Sequence, residues 1–251
     1  MLKPRTTPGS QVKSLDGDGW RLEIPAGPAG RYRLAQLDDL DGLPRRSLPW
    51  RAPLRFKLQA RASSAQIPGT WGFGLWNDPF GFSLGFGGGQ RFPALPDAAW
   101  FFFASPHNYL SLQDDLPAKG GMAVTFRSKP LPAPLLALGA LSVPLLALHP
   151  FSRLLRRLGR RFVEQGVSSL EINPVEWHTY EVVWEAERTV FGIDKKLVLE
   201  TGVSPHGPLV LVIWVDNQYA AWHPDGRLHW GTLANPEPAW VEVREIQISP
   251  A

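Results

Sequence analysis

Apolar and polar residues alternate in short runs along most of this chain, and a period of two predicts β-strands. The clearest run is Leu54–Ala62, in which every second residue is apolar. Many of the 24 glycines and 25 prolines lie between such runs, as expected for turns. The other predicted strands are Trp20–Ile24, Arg31–Leu37, Trp71–Trp76, Ala99–Ala104, Met122–Arg127, Trp177–Glu185, Thr189–Ile193, Lys196–Glu200, Leu209–Val215 and Val241–Ile248. The pattern therefore predicts an all-β fold, a sandwich or jelly roll.

The chain is expected to form a single domain over 1–251, because it contains no internal repeat and no second core pattern. Residues 1–18 are expected to be a loose N-terminal arm. Trp20–Ile24 and Arg31–Leu37 flank a turn rich in proline and glycine, and this arrangement predicts a β-hairpin.

One segment, 130–165, departs from the strand pattern and predicts a helical insertion. From Pro130 to Ser152, 23 consecutive residues contain no Asp, Glu, Lys or Arg. Ser152–Phe162 follows as a basic amphipathic helix, with its arginines on one arc of about 140° and its apolar side chains on the opposite arc. The arginines are Arg153, Arg156, Arg157, Arg160 and Arg161, and the apolar residues are Leu154, Leu155, Leu158 and Phe162.

An apolar segment that leads into a basic amphipathic helix is typical of a lid over an apolar ligand or of a dock on an anionic membrane surface. Five prolines and Gly139 argue against a straight bilayer span. Two alternatives stay open: the insertion packs against its own domain with solvated arginines, or it forms a homodimer contact. The residues predicted to contact a membrane are Leu154, Arg156, Arg157, Leu158, Arg160, Arg161 and Phe162.

The charge distribution is local. The formal net charge is +3, and Arg153–Arg161 alone contributes five positive charges, so the rest of the chain carries −2. This argues against nucleic-acid binding, which needs a broader basic face. The absence of cysteine excludes disulfides and thiolate ligands, and the six histidines lack ligand spacing, so no metal and no cofactor are expected. The first residues lack an apolar signal core, which favours a cytoplasmic location, at most peripheral to a membrane.

Three segments carry a resemblance to a known family. They are Trp177-His-Thr-Tyr-Glu-Val-Val-Trp-Glu185, the strand–turn–strand Thr189–Val198, and Pro208–Val215, which contains Trp214. Together with Gly69-Thr-Trp-Gly-Phe-Gly-Leu-Trp76, they resemble the laminarinase-like (family 16) glycoside hydrolases of the concanavalin A-like superfamily. The resemblance covers about half of the chain and implies a concanavalin A-like jelly-roll sandwich. It also implies that His178 is structural.

The carboxylates of the family's catalytic strand have no counterpart here. In the family that strand carries Glu-x-Asp-x-Glu, whose carboxylates share one face and perform retaining hydrolysis. The corresponding segment is Ala99-Trp-Phe-Phe-Phe-Ala-Ser105, which contains no carboxylate. Standard family 16 hydrolysis is therefore not expected.

The aromatic residues that replace those carboxylates predict an apolar cleft, on whichever face of Ala99–Ser105 is concave. Either Trp71 or Trp76 would join Trp214 there from neighbouring strands. The alternative is that these rings simply pack the core between two sheets. The residues predicted to contact a ligand are Trp71, Trp76, Asn77, Trp100, Phe102, Asn108, Tyr109, Trp214 and Asn217.

Three polar residues are candidates for acid–base chemistry. Asp78 and Asp216 each follow a strand that contains tryptophan, and they would meet at one end of the cleft if those strands are neighbours. His107 lies just after the aromatic strand and would stand at the rim. Ordinary turn and loop roles are the alternative for all three.

Three functions fit these observations. The first is non-hydrolytic binding of a hydrophobic small molecule or lipid, with 130–165 as lid or membrane dock. The second is an isomerase, cyclase or hydratase acting on such a lipophile, with Asp78, His107 or Asp216 handling protons. The third is a carbohydrate-binding or glycoside hydrolase-like protein, as the resemblance implies.

Overall fold

The computed structural model describes residues 2–40, 42–79, 94–114, 116, 119–131 and 143–251. Within this part of the chain there are sixteen strands, one α-helix and two short 3₁₀ turns. The helix α1 is His149–Phe162. The strands are β1 Lys3–Thr6, β2 Gln11–Leu15, β3 Gly19–Ile24, β4 Leu34–Asp38, β5 Leu54–Ala62, β6 Thr70–Trp76, β7 Ala98–Ala104, β8 Gly120–Ser128, β9 Val163–Leu170, β10 His178–Trp184, β11 Thr189–Ile193, β12 Lys196–Thr201, β13 Val210–Asp216, β14 Gln218–Trp222, β15 Leu228–Thr232 and β16 Ala239–Pro250.

Two seven-stranded antiparallel sheets face each other. The first sheet has the strand order β1-β4-β13-β6-β7-β8-β9, and the second has the order β12-β11-β10-β5-β16-β3-β2. Strands β14 and β15 form a separate two-stranded hairpin. Both sheets join strands that are distant in sequence, such as β4 with β13 and β5 with β16, as in a jelly roll. The predicted all-β sandwich is confirmed.

The core lies between the two sheets and consists of every second residue of their strands. At its centre the ring of Tyr180 packs edge-on against those of Phe73 and Phe101, at 4.8 and 4.9 Å between ring centroids. Phe191 meets Phe101 from the second sheet at 5.2 Å. Strand β5 shows the pattern most plainly, because its apolar residues all face this core and its polar residues face outward.

The predicted hairpin of Trp20–Ile24 with Arg31–Leu37 is wrong. Strand β3 pairs with β2 and β16 in the second sheet, whereas β4 pairs with β1 and β13 in the first. The chain therefore crosses from one sheet to the other between these strands. Alternation shows that each segment is half-buried, but it does not specify which strand pairs with it.

The loose arm predicted for 1–18 is also wrong, because this region contains β1 and β2, each at the edge of a sheet. Their side chains are mostly exposed, so neither strand has an apolar face that would show as alternation in the sequence. Main-chain hydrogen bonds to β4 and β3 define them instead. The sequence also failed to predict the mostly polar edge strand β9 and the hairpin β14–β15, because neither has a continuous alternation of apolar residues.

Part of the predicted insertion, 132–142, lies outside the described residues. The predicted basic helix is confirmed and begins three residues earlier than expected, at His149. It ends directly at β9, so Val163, Glu164 and Gln165 belong to the first sheet. In the described part of the chain, no helix is long and apolar enough to cross a membrane.

Candidate functional site

The outer face of the first sheet, which is turned away from the core, is formed by alternate residues of its strands. Strand register places these residues side by side in rows. One row runs from Gln36 on β4 through Trp214, Gly72 and Phe102 to Met122 on β8. The middle of this face is consequently apolar, in contrast to the polar outer face expected of a solvated sheet.

Five aromatic residues form a continuous cluster on this face, which we call the aromatic layer: Trp76, Trp100, Phe102, Phe126 and Trp214. Trp100 is central, with its ring centroid 5.5 Å from that of Trp214 and 5.7 Å from that of Phe102. The rings of Trp76 and Phe126 lie 5.8 and 6.3 Å from that of Trp100. The three central rings are buried, so the layer forms a second apolar cluster outside the core.

Two glycines of β6 provide the space that this layer occupies. A Cβ atom on Gly72 would lie 2.8 Å from the ring of Trp214, and one on Gly74 would lie 2.5 Å from Cα of Trp100. Gly74 also has a φ of +152°, which side-chain-bearing residues rarely adopt. The indoles therefore lie close against the backbone of β6.

Register also decides which tryptophan of β6 joins the layer. Trp76 is on the outer face, whereas Trp71 points into the core and stacks on Phe103 at 3.8 Å between ring centroids. Trp71 therefore packs the sandwich, as the core alternative predicted. On β7, Trp100 and Phe102 face outward, while Phe101 and Phe103 face the core.

A buried polar cluster closes one end of the aromatic layer. The indole Nε1 of Trp214 donates to the Thr70 hydroxyl at 3.0 Å, and that hydroxyl donates to the Asp216 carboxylate at 2.9 Å. The N–H groups of Thr70 and Gln218 also donate to Asp216, and its carboxyl interacts with Tyr32. Burial raises the pKa of Asp216 to about 7, although these hydrogen bonds oppose the rise.

The structure does not bring Asp78 and Asp216 together. Strands β6 and β13 are neighbours, as the prediction required, but they are antiparallel. Asp216 therefore stands beside Thr70, at the start of β6, whereas Asp78 follows its end, more than about 20 Å away. His107 is exposed near the Asp216 end, with its ring 6.1 Å from that of Tyr219.

The carboxylates on the outer face are too far apart for glycoside hydrolysis. In the described strands of the first sheet, only Asp38 and Asp216 present a carboxylate there, on neighbouring strands but four residues apart in register. Their separation is about 14 Å, against about 5–10 Å between the two carboxyls of glycosidases. Asp38 is also paired with Arg5 at 2.6 Å. Within the described residues, no group of His, Asp and Glu is placed to hold a metal ion.

The three predicted asparagines hold main-chain segments together. The side chain of Asn77 bonds to the main chain of Leu95 and Asp97. The Asn108 and Asn217 side chains are buried, and their hydrogen-bonding partners are mainly main-chain groups of distant loops and strands, namely those of Gly69, Ser105, Ala220, Arg31, Arg33 and Leu233. Their polar groups are therefore engaged within the fold.

A cavity of about 330 Å³, which we call the end cavity, lies where β6 and β8 end. Asp97 and His206 lie in its wall, 3.9 Å apart between Oδ1 and Nδ1. Burial raises the pKa of Asp97, against opposing hydrogen bonds from the N–H groups of Ser128 and His206. Sequence reasoning missed this site because its residues are distant in the chain. Its wall consists of Asn77, Ala94, Leu95, Asp97, Ser128, Lys129, Pro130, Leu131 and His206.

Polar contacts attach helix α1 to the domain. The Ser152 hydroxyl accepts a hydrogen bond from the indole of Trp222 at 2.9 Å. Arg156 donates to the carbonyl oxygens of Ser111 and Trp222 at 2.9 and 3.0 Å. Both helix residues are buried, whereas Leu154 remains 46% exposed. The edge of the arginine arc therefore faces the protein, and on the apolar arc Leu154 is exposed while Leu155 and Leu158 are half-buried.

This placement corrects one predicted membrane contact and locates Tyr109. Arg156 is only 3% exposed and cannot reach a membrane surface. Its guanidinium lies 5.5 Å from the ring centroid of Tyr109, whose hydroxyl donates to the carbonyl oxygen of Asp114. Tyr109 thus supports the helix anchor. A helical wheel cannot reveal this, because it does not show which carbonyl groups lie opposite an arginine.

Replacing Arg156 with glutamine is expected to release α1 while leaving the sandwich folded. The change leaves two carbonyl oxygens without their guanidinium donor, which costs about 2–3 kcal/mol in local stability. Amide hydrogen exchange over 149–162 should accelerate roughly 30- to 150-fold. Arg161→Gln, an exposed change on the same helix, is the control, and equal exchange in both variants would contradict the anchor.

Comparisons with known proteins support the fold. No protein-family profile and no curated protein matches this chain. Among solved structures, a legume lectin-like domain from Entamoeba histolytica aligns over 100% of this chain and 90% of its own, with a TM-score of 0.50 and 8% identity. A family 16 glycoside hydrolase of Bacteroides ovatus, in complex with a mixed-linkage glucan product, aligns over 99% and 94%, with a TM-score of 0.50 and 10% identity. At these identities the likeness establishes the fold alone.

The chain therefore has a concanavalin A-like jelly-roll sandwich, of the kind shared by glucanases and legume lectin-like domains. An endo-acting O-glycanase from the human gut microbiota is similar over 98% of this chain and 84% of its own, with a TM-score of 0.50 and 11% identity. Function has to be argued from the site, because this scaffold hosts both binding proteins and enzymes.

Proposed function

We propose that this protein is a non-hydrolytic binding protein on a glucanase-like scaffold. The observation that carries the proposal is the aromatic layer, which occupies the outer face of the first sheet without a carboxylate pair. Trp100 and Phe102 stand on β7, the strand that the sequence resemblance matches to the family's catalytic strand. Without paired carboxylates, that face lacks the acid–base chemistry of hydrolysis, and its partly exposed rings, Trp76 and Phe126, are the ones that a ligand could reach.

One candidate ligand is a hydrophobic small molecule. The end cavity supports it, because Leu95, Pro130 and Leu131 supply apolar walls and Asp97 and His206 supply a few polar groups. This composition and a volume of about 330 Å³ are typical of small-molecule sites. The engaged asparagines also leave few polar groups for sugar hydroxyls.

The other candidate ligand is a carbohydrate, and the comparisons favour it. The similar structures bear the names of a lectin-like domain, a glucan-bound glycoside hydrolase and an O-glycanase, and none names a lipid. Tryptophan rings such as Trp76 can stack on sugar rings. A carbohydrate would then bind without being cleaved.

A role for the insertion at an anionic membrane surface remains a proposal, as does a homodimer contact. Leu148 and Leu154 are 58% and 46% exposed, and Arg157 and Arg161 are exposed beside them. Exposed leucines flanked by arginines are the composition of helices that lie in a membrane interface.

Trp76→Ala is expected to weaken binding of the ligand at least about tenfold, since it removes a partly exposed ring of the aromatic layer. Trp177→Ala is the matched control, because Trp177 is a similarly half-buried tryptophan beside Arg61 and Arg244 of the second sheet. Mass spectrometry of organic extracts tests for a lipophile, and affinity electrophoresis in laminarin or mixed-linkage glucan tests for a carbohydrate.

The same preparations test the absence of hydrolysis. Reducing-sugar assays with both glucans should stay at the buffer level for the wild-type protein. Release of oligosaccharides that is lost in Trp100→Ala would contradict the proposal, and so would equal effects of the Trp76 and Trp177 variants on ligand binding.

A further inference from the structure

A second cavity, of about 420 Å³, lies beside α1 and is unusually basic. We call it the arginine cavity. Its wall consists of Asp114, Arg153, Arg156, Arg157, Arg160 and Pro224. Among the described residues, four arginines and one carboxylate line this cavity. Clustered charge of one sign in a concave site attracts ions of the opposite sign.

Two of the four arginines already have an anionic partner. Arg156 lies 3.0 Å from one carboxylate oxygen of Asp114, and Arg160 pairs with the other. These hydrogen bonds outweigh the opposing effect of burial and lower the pKa of Asp114. Contacts with the protein also hold Arg156 rigidly, so this half of the cavity is preorganised, and Asp114 offsets one of its two positive charges.

The other two arginines have no such partner. Within the described residues, no acidic side chain forms an ion pair with Arg153 or Arg157, and Arg153 only approaches the carbonyl oxygen of Pro224 at 3.5 Å. They are four residues apart on one helix, a spacing at which like charges repel. An anion between Arg153 and Arg157 would pair with both guanidinium groups, as the Asp114 carboxylate pairs with those of Arg156 and Arg160.

We propose that the arginine cavity binds a phosphate group, with Arg153 and Arg157 as its principal ligands. Planar guanidinium groups donate paired hydrogen bonds to phosphate oxygens, and this geometry suits two arginines that face one tetrahedral anion. The cavity is larger than a phosphate ion, so the group can belong to free phosphate or to a lipid headgroup. This site is separate from the aromatic layer and does not depend on the function proposed there.

The first test is calorimetric titration of the full chain with inorganic phosphate at low ionic strength. Arg153→Gln/Arg157→Gln should weaken binding at least tenfold. Arg161→Gln, which changes an exposed arginine of α1 outside the cavity wall, should change the affinity less than twofold. No binding by the wild type at about 10 mM phosphate, or equal losses in both variants, would overturn the proposal.

A variant that is expected to bind phosphate more tightly tests whether misfolding explains the loss of binding in the double variant. Asp114→Asn removes the internal carboxylate, so Arg160 becomes available and phosphate affinity should rise severalfold. Weaker binding by this variant, with circular dichroism like that of the wild type, would count against the proposed site.

Vesicles distinguish the two sources of phosphate. The protein should sediment with phosphatidic acid/phosphatidylcholine vesicles, and free phosphate should compete, if the ligand is a headgroup. Binding of free phosphate without sedimentation supports the same site with a soluble ligand. Sedimentation that falls equally in the double variant and in Arg31→Gln, an exposed arginine outside α1, would indicate general surface attraction and would overturn the site.

Discussion

As the pH rises from about 4 to about 7, Asp216 should lower the unfolding free energy of the wild-type protein by about 4 kcal/mol, and Asp216→Asn should abolish this decrease. Asp216 is buried at the end of the aromatic layer, and its pKa is raised from 3.8 to about 7. The folded state therefore retains a proton that the unfolded state has already released.

The sign follows from proton binding. Below pH 3.8 both states hold the proton, and Asp216 contributes no pH dependence. Between 3.8 and about 7 only the folded state holds it, so stability falls with each pH unit, and above about 7 the loss is complete. Asparagine stays neutral throughout and still offers an acceptor to the N–H and hydroxyl of Thr70.

Urea unfolding at several pH values measures this effect. The informative quantity is the difference between the wild-type and Asp216→Asn curves, since other carboxyls titrate equally in both proteins. Asp16→Asn, in an exposed turn, controls for the loss of one carboxyl. Parallel wild-type and Asp216→Asn curves over the whole range would show that Asp216 ionises normally.

Phe101→Ala should destabilise the protein by about 3–5 kcal/mol, whereas Phe102→Ala should cost roughly half as much. The two residues are adjacent on β7 and chemically identical, but they lie on opposite faces of the sheet. Phe101 is enclosed between the sheets by Phe73, Tyr180 and Phe191, so its loss leaves a cavity. Around Phe102, the rings of Trp100 and Trp214 can move into part of the space.

Thermal and urea unfolding of the two variants give the comparison directly, and ligand binding adds a second readout. If the aromatic layer binds ligand, Phe102→Ala should lose affinity even where it remains folded. Equal destabilisation by the two changes, with unaltered ligand binding by Phe102→Ala, would mean that the layer is only a second core.

The sequence resemblance predicted the fold and showed that the catalytic carboxylates of the resembled family are missing. The segments around Trp177 and Trp214 predicted a concanavalin A-like sandwich, and both structure and comparisons support it. The missing carboxylates of Ala99–Ser105 could be read directly from the residues. By contrast, the pairing of Asp78 with Asp216 depended on strand direction, which the residues do not reveal.

By itself, the sequence determined most core strands, the basic helix and the apolar character of β7, because periodicity and composition are local properties. Only the tertiary structure decided that Trp76 rather than Trp71 joins the aromatic layer, and that Arg156 points into the protein. The end cavity and the arginine cavity also emerge only in the fold. These features depend on register and on contacts between residues far apart in the chain, which no local pattern encodes.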